Sequence, residues 1–157
     1  MFDESMIEYL HSGCALLVGT VDETGRPHAG RGLGLTVLDP DGGRVRLLVD
    51  AEDSATLANL RQGAMVAITT ASVLTLQSFQ MKGRLALVEA GTESDDAKRI
   101  QYATDFINDI HNTDGDAVEV LERWALRPIV ACIVDVDSWF DQTPGPSAGS
   151  RISVRPS

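Results

Sequence analysis

The sequence predicts a mainly β fold with helices (α+β), in which six antiparallel strands form a closed or partly closed barrel with flanking helices. Three observations predict it. Apolar runs rich in Val, Leu and Ile alternate with short turn signals, Asp22-Glu23-Thr24-Gly25 and Asp39-Pro40-Asp41-Gly42-Gly43, which is the spacing of an antiparallel meander. A glycine, Gly83, interrupts a long strand-like run, as a bulge at a barrel corner requires. No Gly-rich fingerprint follows a strand and opens a helix, so a doubly wound nucleotide fold is disfavoured.

Taken in order, Asp3 to His11 reads as a short helix, with Asp3 as cap and Met6, Ile7 and Leu10 on one apolar stripe. Cys14 to Val21, Pro27 to Leu38 and Val45 to Val49 read as the first three strands. Asp53 to Leu60 switches to helix, capped by Asp53 or Ser54, with Leu57 and Leu60 facing inward and Gly63 as the stop. Met65 to Thr70 and Leu76 to Val88 are the fourth and fifth strands. Thr92 to His111 is the longest helix, with Ala97, Ile100, Ala103, Ile107 and Ile110 as its apolar side. Asp116 to Trp124 reads as a further short helix, and Ile129 to Val136 as the last strand. Residues 1–142 therefore form one domain, and the Pro/Gly/Ser-rich stretch 143–157 reads as an arm, disordered after Ser147.

At 157 residues the chain is long enough for one core that buries about 70% of its unfolded surface. Aromatic residues make up only 5%, so that core must rest on aliphatic side chains. The formal net charge of −10 argues against nucleic acid and against anionic membrane, both of which need clustered positive charge. A local basic pocket for a small anion is compatible with it. Cys14 and Cys132 each sit in an apolar run and read as small buried hydrophobes in a reducing compartment. The segment MFDESMIEYL has no signal-peptide pattern, and no apolar run approaches the ~18 residues of a membrane span. The expected location is cytoplasmic.

His11, His28 and His111 are scattered without metal-ligand spacing, so no metal site is expected. GxSxG, HExxH and P-loop patterns are absent. The glycines of Gly30-Arg31-Gly32-Leu33-Gly34 lie inside a strand, where either another backbone or a planar ligand comes close. The acids Glu93 to Asp96 suit a helix N-terminus, and Asp114-Gly115-Asp116 suits a turn. Trp139-Phe140 beside the Pro-Gly-rich arm suits packing over a bound ligand or onto a second subunit, although Trp139 alone reads as a packing residue.

Three segments in order carry a resemblance: Thr20 to His28, a strand, turn and proline-opened strand; Asp53 to Ile68, a capped helix leading into a strand; and Gln77 to Gly83, leading into the long strand. In that order and spacing, over roughly residues 5 to 141, the chain resembles the pyridoxamine 5'-phosphate oxidase-like split-barrel family. The resemblance implies a six-stranded antiparallel split barrel, a homodimer, and FMN in a groove at the subunit interface. It places Arg31, Gly32 and Leu33 beside the isoalloxazine ring. It nominates Asp50, Ala51, Ser54, Thr56 and Arg61 for the phosphate, and Ser78 or Gln80 for a further polar contact.

One departure stands out. Where members that hold FMN firmly carry Lys or Arg in the first turn of the phosphate helix, this chain has Ser54-Ala55-Thr56-Leu57, preceded by Ala51-Glu52-Asp53. A missing charged contact costs about 1.5–3 kcal/mol, or roughly ten- to a hundredfold in affinity. The implied activity is that of a flavin-dependent oxidoreductase with no side chain that reads as a general acid or base. The alternative is a non-enzymatic dimeric split barrel that has lost FMN and binds another small molecule, with haem (through His28 or His111) or a deazaflavin as further cofactors of the superfamily.

Overall fold

A computed structural model of the chain describes residues 1–63, 65–114 and 127–154. The elements are α1 (Glu4–His11), β1 (Ala15–Val21), β2 (Pro27–Asp39), β3 (Arg44–Asp50), α2 (Ser54–Arg61), β4 (Met65–Ala71), β5 (Ser78–Ala90), α3 (Glu93–Asp114), β6 (Ile129–Asp141) and β7 (Arg151–Val154). The helix expected at Asp116 to Trp124 lies outside the described residues.

Hydrogen-bonded neighbours run β3-β2-β1-β4-β5-β6-β7, and β3 also pairs with β6. Strands β1 to β6 thereby close into an antiparallel barrel flanked by the three helices, as the sequence predicts. The closure runs from Arg44 opposite Asp135 to Asp50 opposite Ile129. Strand β6 continues past that seam to Asp141, five residues beyond the expected end at Val136, and takes β7 as its new partner. Gly83 sits at a register shift, and a Cβ there would collide with the carbonyl of Asp135. Only glycine lets β5 and β6 approach this closely at the corner.

The barrel interior is aliphatic, as the composition requires, with Leu16, Val18, Val45, Leu47, Ile68, Val134 and Val136 all at most 3% exposed. Each such side chain contributes about 1.5–3 kcal/mol on burial. Trp139 is fully buried, stacked on Phe79 with ring centroids 5.2 Å apart and met edge-on by Phe2. Cys14 and Cys132 are free, buried thiols, each pushed up to about 11 by desolvation. Helix α1 is capped by Asp3, which accepts the Met6 N–H. His11 in its last turn accepts the Val37 N–H through Nε2 at 3.0 Å, tying the helix to β2.

Helix α3 is rotated from the expected side. It buries Asp95, Arg99, Tyr102, Ala103 and Phe106, while Ile100 is 55% exposed. A salt bridge fixes the rotation: the Arg46 guanidinium on β3 grips the Asp95 carboxylate through Nε and Nη2, both at 2.7 Å, and also bonds Glu89 on β5. Arg46 holds the Asp95 carboxyl far below the usual carboxylate range, helped by bonds from Thr92.

Candidate functional site

The cleft at the β3–α2 junction is built from the end of a strand upward. Strand β3 ends at Asp50, whose Oδ1 accepts the Glu52 N–H at 2.8 Å and whose carbonyl accepts the Asp53 N–H at 3.1 Å. This tight turn delivers Asp53 to the start of α2 as its cap. The Asp53 carboxylate accepts the Thr56 N–H at 3.0 Å and the Thr56 hydroxyl at 2.6 Å, and meets His28 Nε2 at 3.2 Å. Burial pushes the Asp53 carboxyl up, but the two Thr56 bonds and His28 hold it below its ordinary value. Gly30 on β2 makes room for this arrangement, since a Cβ there would lie 2.5 Å from both Asp53 Oδ2 and Thr56 Oγ1. At this glycine the close approach foreseen in the strand is made by α2.

Arg31, Asp50, Glu52, Asp53 and Arg127 line an open cleft of about 340 Å³. Arg127 Nη1 donates to Asp50 Oδ2 at 2.6 Å, and its Nη2 lies 3.7 Å from Glu52. Two guanidinium groups thus face three carboxylates. The start of the helix, which would otherwise offer N–H groups and a partial positive charge to an anion, is already occupied by the chain's own Asp53.

The nominated residues fall into three groups. Arg31 and Asp50 line the cleft, with Ala51 in the turn after Asp50 and Ser54 at the start of α2; the Ala51 N–H is taken by the Pro128 carbonyl and the Ser54 N–H by the Glu52 carbonyl. Gly32, Leu33 and Thr56 are buried: a Cβ at Gly32 would press on Leu16, Leu33 packs with Leu48 and Ala131, and Thr56 is 1% exposed beneath Asp53. Arg61, Ser78 and Gln80 lie apart from the cleft. Arg61 is in the last turn of α2, about 10 Å along the axis from Ser54 at 1.5 Å per residue. Ser78 and Gln80 are on β5, three strands from β2, or roughly 14 Å across the sheet. Gln80 donates to Thr69 Oγ1 at 3.0 Å, and Ser78 to the Leu76 carbonyl.

Arg127 and Glu52 were not nominated from sequence, and His28 only as a haem ligand. Arg127 precedes β6 by one residue beyond Pro128. The signal that finds it is barrel closure itself: pairing Asp50 with Ile129 carries whatever precedes β6 to the end of β3. Among the described residues no cluster of three or more His, Cys, Asp or Glu has metal-holding geometry. Among them, too, no helix is long and apolar enough to cross a membrane.

The sequence matches no protein-family model and no curated protein. Solved structures do match. HupZ of Group A Streptococcus superposes with a TM-score of 0.57 at 17% identity, covering 95% of this chain and 100% of that one. A candidate pyridoxamine 5'-phosphate oxidase from Lactobacillus delbrueckii gives 0.55 at 19% identity, over 88% of this chain and 93% of its own. An F420 reductase gives 0.52 at 12% identity, over 84% and 93%. These likenesses, all below 20% identity, show the fold: the chain has the split-barrel architecture of these structures.

Proposed function

We propose that the chain binds a flavin-type cofactor, FMN, at the β2–β3–α2 cleft and works as a flavin-dependent oxidoreductase in a cytoplasmic homodimer. The single observation that carries this reading is the presence of Arg31 and Arg127 in the lining of one cleft. Two guanidinium groups are the side chains best matched to a phosphate, and Arg127 supplies the cation that the first turn of α2 lacks. The names of two solved structures with this fold, a candidate pyridoxamine 5'-phosphate oxidase and an F420 reductase, point to the same chemistry.

The fit has a specific electrostatic condition. Arg127 is bonded to Asp50, so a phosphate must draw it away from that carboxylate. Glu52 and Asp53 oppose the exchange, and FMN affinity is accordingly low. When bound, the flavin supplies the redox chemistry; Arg31 and Arg127 hold the phosphate, and the β2 backbone at Gly32 and Leu33 backs the ring. Dimerisation is supported by exposed apolar side chains toward the β4–β5 turn, where Leu17 is 44%, Leu74 53% and Leu76 63% exposed. Free buried thiols accord with a reducing cytoplasm.

A second reading, a dimeric small-molecule binder that has lost FMN, is favoured by one observation: Asp53 occupies the position at the helix start that a phosphate would take. The absorbance spectrum of the freshly purified protein, followed by titration with FMN, separates the two. Flavin bands or saturable uptake support the first reading. A colourless protein that takes up no FMN, or one with a Soret band, supports the second.

A further inference from the structure

The β6–β7 hairpin builds a second constellation, on a different part of the barrel. Asp141 organises the connecting loop. Its Oδ1 accepts the Thr143 N–H at 2.8 Å, its Oδ2 accepts the Ser147 hydroxyl at 3.2 Å, and its carbonyl accepts the Gly149 N–H at 2.7 Å. These bonds set β7 in register on β6, with Arg151 opposite Phe140. On the other side of β6, Lys82 of β5 lies opposite Ser138, one step along the same face from Phe140. Two cations from two different strands therefore converge on one ring. Lys82 Nζ is 5.0 Å from the Phe140 centroid and Arg151 Cζ is 5.3 Å from it.

The chain as a whole is strongly acidic. It carries 23 acidic and 13 basic residues, and Arg44, Arg46, Arg99 and Arg127 each bind a carboxylate. Lys82 and Arg151 have no carboxylate partner among the described residues. An aromatic face offsets part of their repulsion, by about 0.5–1 kcal/mol per exposed cation, but a bridging anion would offset it more fully. Lys82 also lines an apolar cleft of about 330 Å³ with Gly19, Val21, Met65 and Ala67, on the outer side of β1 and β4. That volume lies within the range of small-molecule sites.

We infer that Lys82, Phe140 and Arg151, with the adjoining apolar cleft, form a binding site for an amphipathic organic anion: an aromatic or aliphatic acid. Its apolar body fills the cleft along Gly19, Val21, Met65 and Ala67. Its charged group lies against Lys82 and Arg151, over the ring of Phe140. The site shares no residue with the Arg31–Arg127 cleft; Phe140 lies eleven residues along β6 from Ile129, which pairs with Asp50 at that cleft, or roughly 36 Å of extended strand.

The test is fluorescence titration of the full chain with 8-anilinonaphthalene-1-sulfonate, an aromatic acid anion, beside its uncharged relative N-phenyl-1-naphthylamine. Saturable one-to-one binding of the sulfonate is expected. Lys82→Gln and Arg151→Gln should each weaken it about tenfold, the scale of one charge-assisted contact. Arg26→Gln, which removes an equal charge from the β1–β2 turn, should leave it unchanged, and the uncharged relative should bind at least about tenfold more weakly. The inference is overturned by absence of saturable binding, by equal affinity for the uncharged relative, or by equal loss in Arg26→Gln. Arg127→Gln, titrated in parallel with the sulfonate and with FMN, keeps the readings apart: it should alter FMN binding only.

Discussion

Two arginines in this barrel each sit between two carboxylates, and their fates differ because their burial differs. Arg46 grips Asp95 through two bonds and also holds Glu89; its side chain is 17% exposed and that of Asp95 only 8%. Arg127 makes one close bond to Asp50 and approaches Glu52; its side chain is 49% exposed, that of Asp50 13% and that of Glu52 63%. The first cluster has surrendered its water and can be broken only at the cost of leaving a charge unpaired. In the second, Asp50 is largely buried but the guanidinium that binds it is half in solvent, which brings the pair toward the ~0–1 kcal/mol of exposed ion pairs. It can therefore trade partners, and the same residue types make a staple in one place and a replaceable contact in the other.

The largest effect that would break this comparison concerns the staple. Asp95→Asn should cost about 3 kcal/mol in urea denaturation, because it leaves the largely buried Arg46 with Glu89 as its only carboxylate and frees the rotation of α3; a loss below about 1 kcal/mol would put this cluster in the same class as the exposed one. The pH dependence has a definite sign. The folded Asp95 carboxyl lies below its ordinary 3.8, so its contribution is complete above that value and is lost as pH falls through and below it. Next in size is Gly30→Ala. The new Cβ would crowd Asp53 and Thr56, and an overpacked contact of this kind costs about 1–3 kcal/mol by thermal denaturation.

The replaceable contact should respond differently. Arg127→Gln should change stability by less than about 1 kcal/mol while weakening FMN about tenfold by titration. The smallest effect concerns His11. Burial, with Lys98 nearby, lowers its pKa from 6.5, so the unfolded chain takes up a proton that the folded one resists. Stability should therefore decline as pH falls through 6.5 toward the folded value. His11→Gln, which keeps a hydrogen-bond acceptor for the Val37 N–H, should remove that slope in thermal melts between pH 8 and 5.

Much of the fold was legible because strands and turns announce themselves locally. Asp3 and Asp53 cap the helices they precede, and Gly83 marks the corner. The rotation of α3 was not legible. Its apolar periodicity favoured Ile100, but an ion pair to Arg46, which lies 49 residues earlier in the chain, outweighed that stripe. The end of β6 was placed five residues early, at Val136, because Asp137 interrupts the apolar run; Asp135, inside the expected strand, is paired with Arg44. The tail reads as loop by composition, yet Asp141 folds it into a hairpin through bonds that span up to nine residues. For the site, the resemblance led to Arg31 and to the Asp50–Ser54 turn. It gave no warning of Arg127, whose arrival depends on the pairing of β3 with β6.

The central claim, that a flavin phosphate is held by exchange of Arg127 from its carboxylates, is tested most directly by FMN titration of three proteins side by side. Against the parent chain, Arg127→Gln should bind FMN about tenfold more weakly and Glu52→Gln severalfold more tightly, since one removes the phosphate's cation and the other a competing anion. Equal affinities in all three, or no saturable uptake by any of them, would contradict the account.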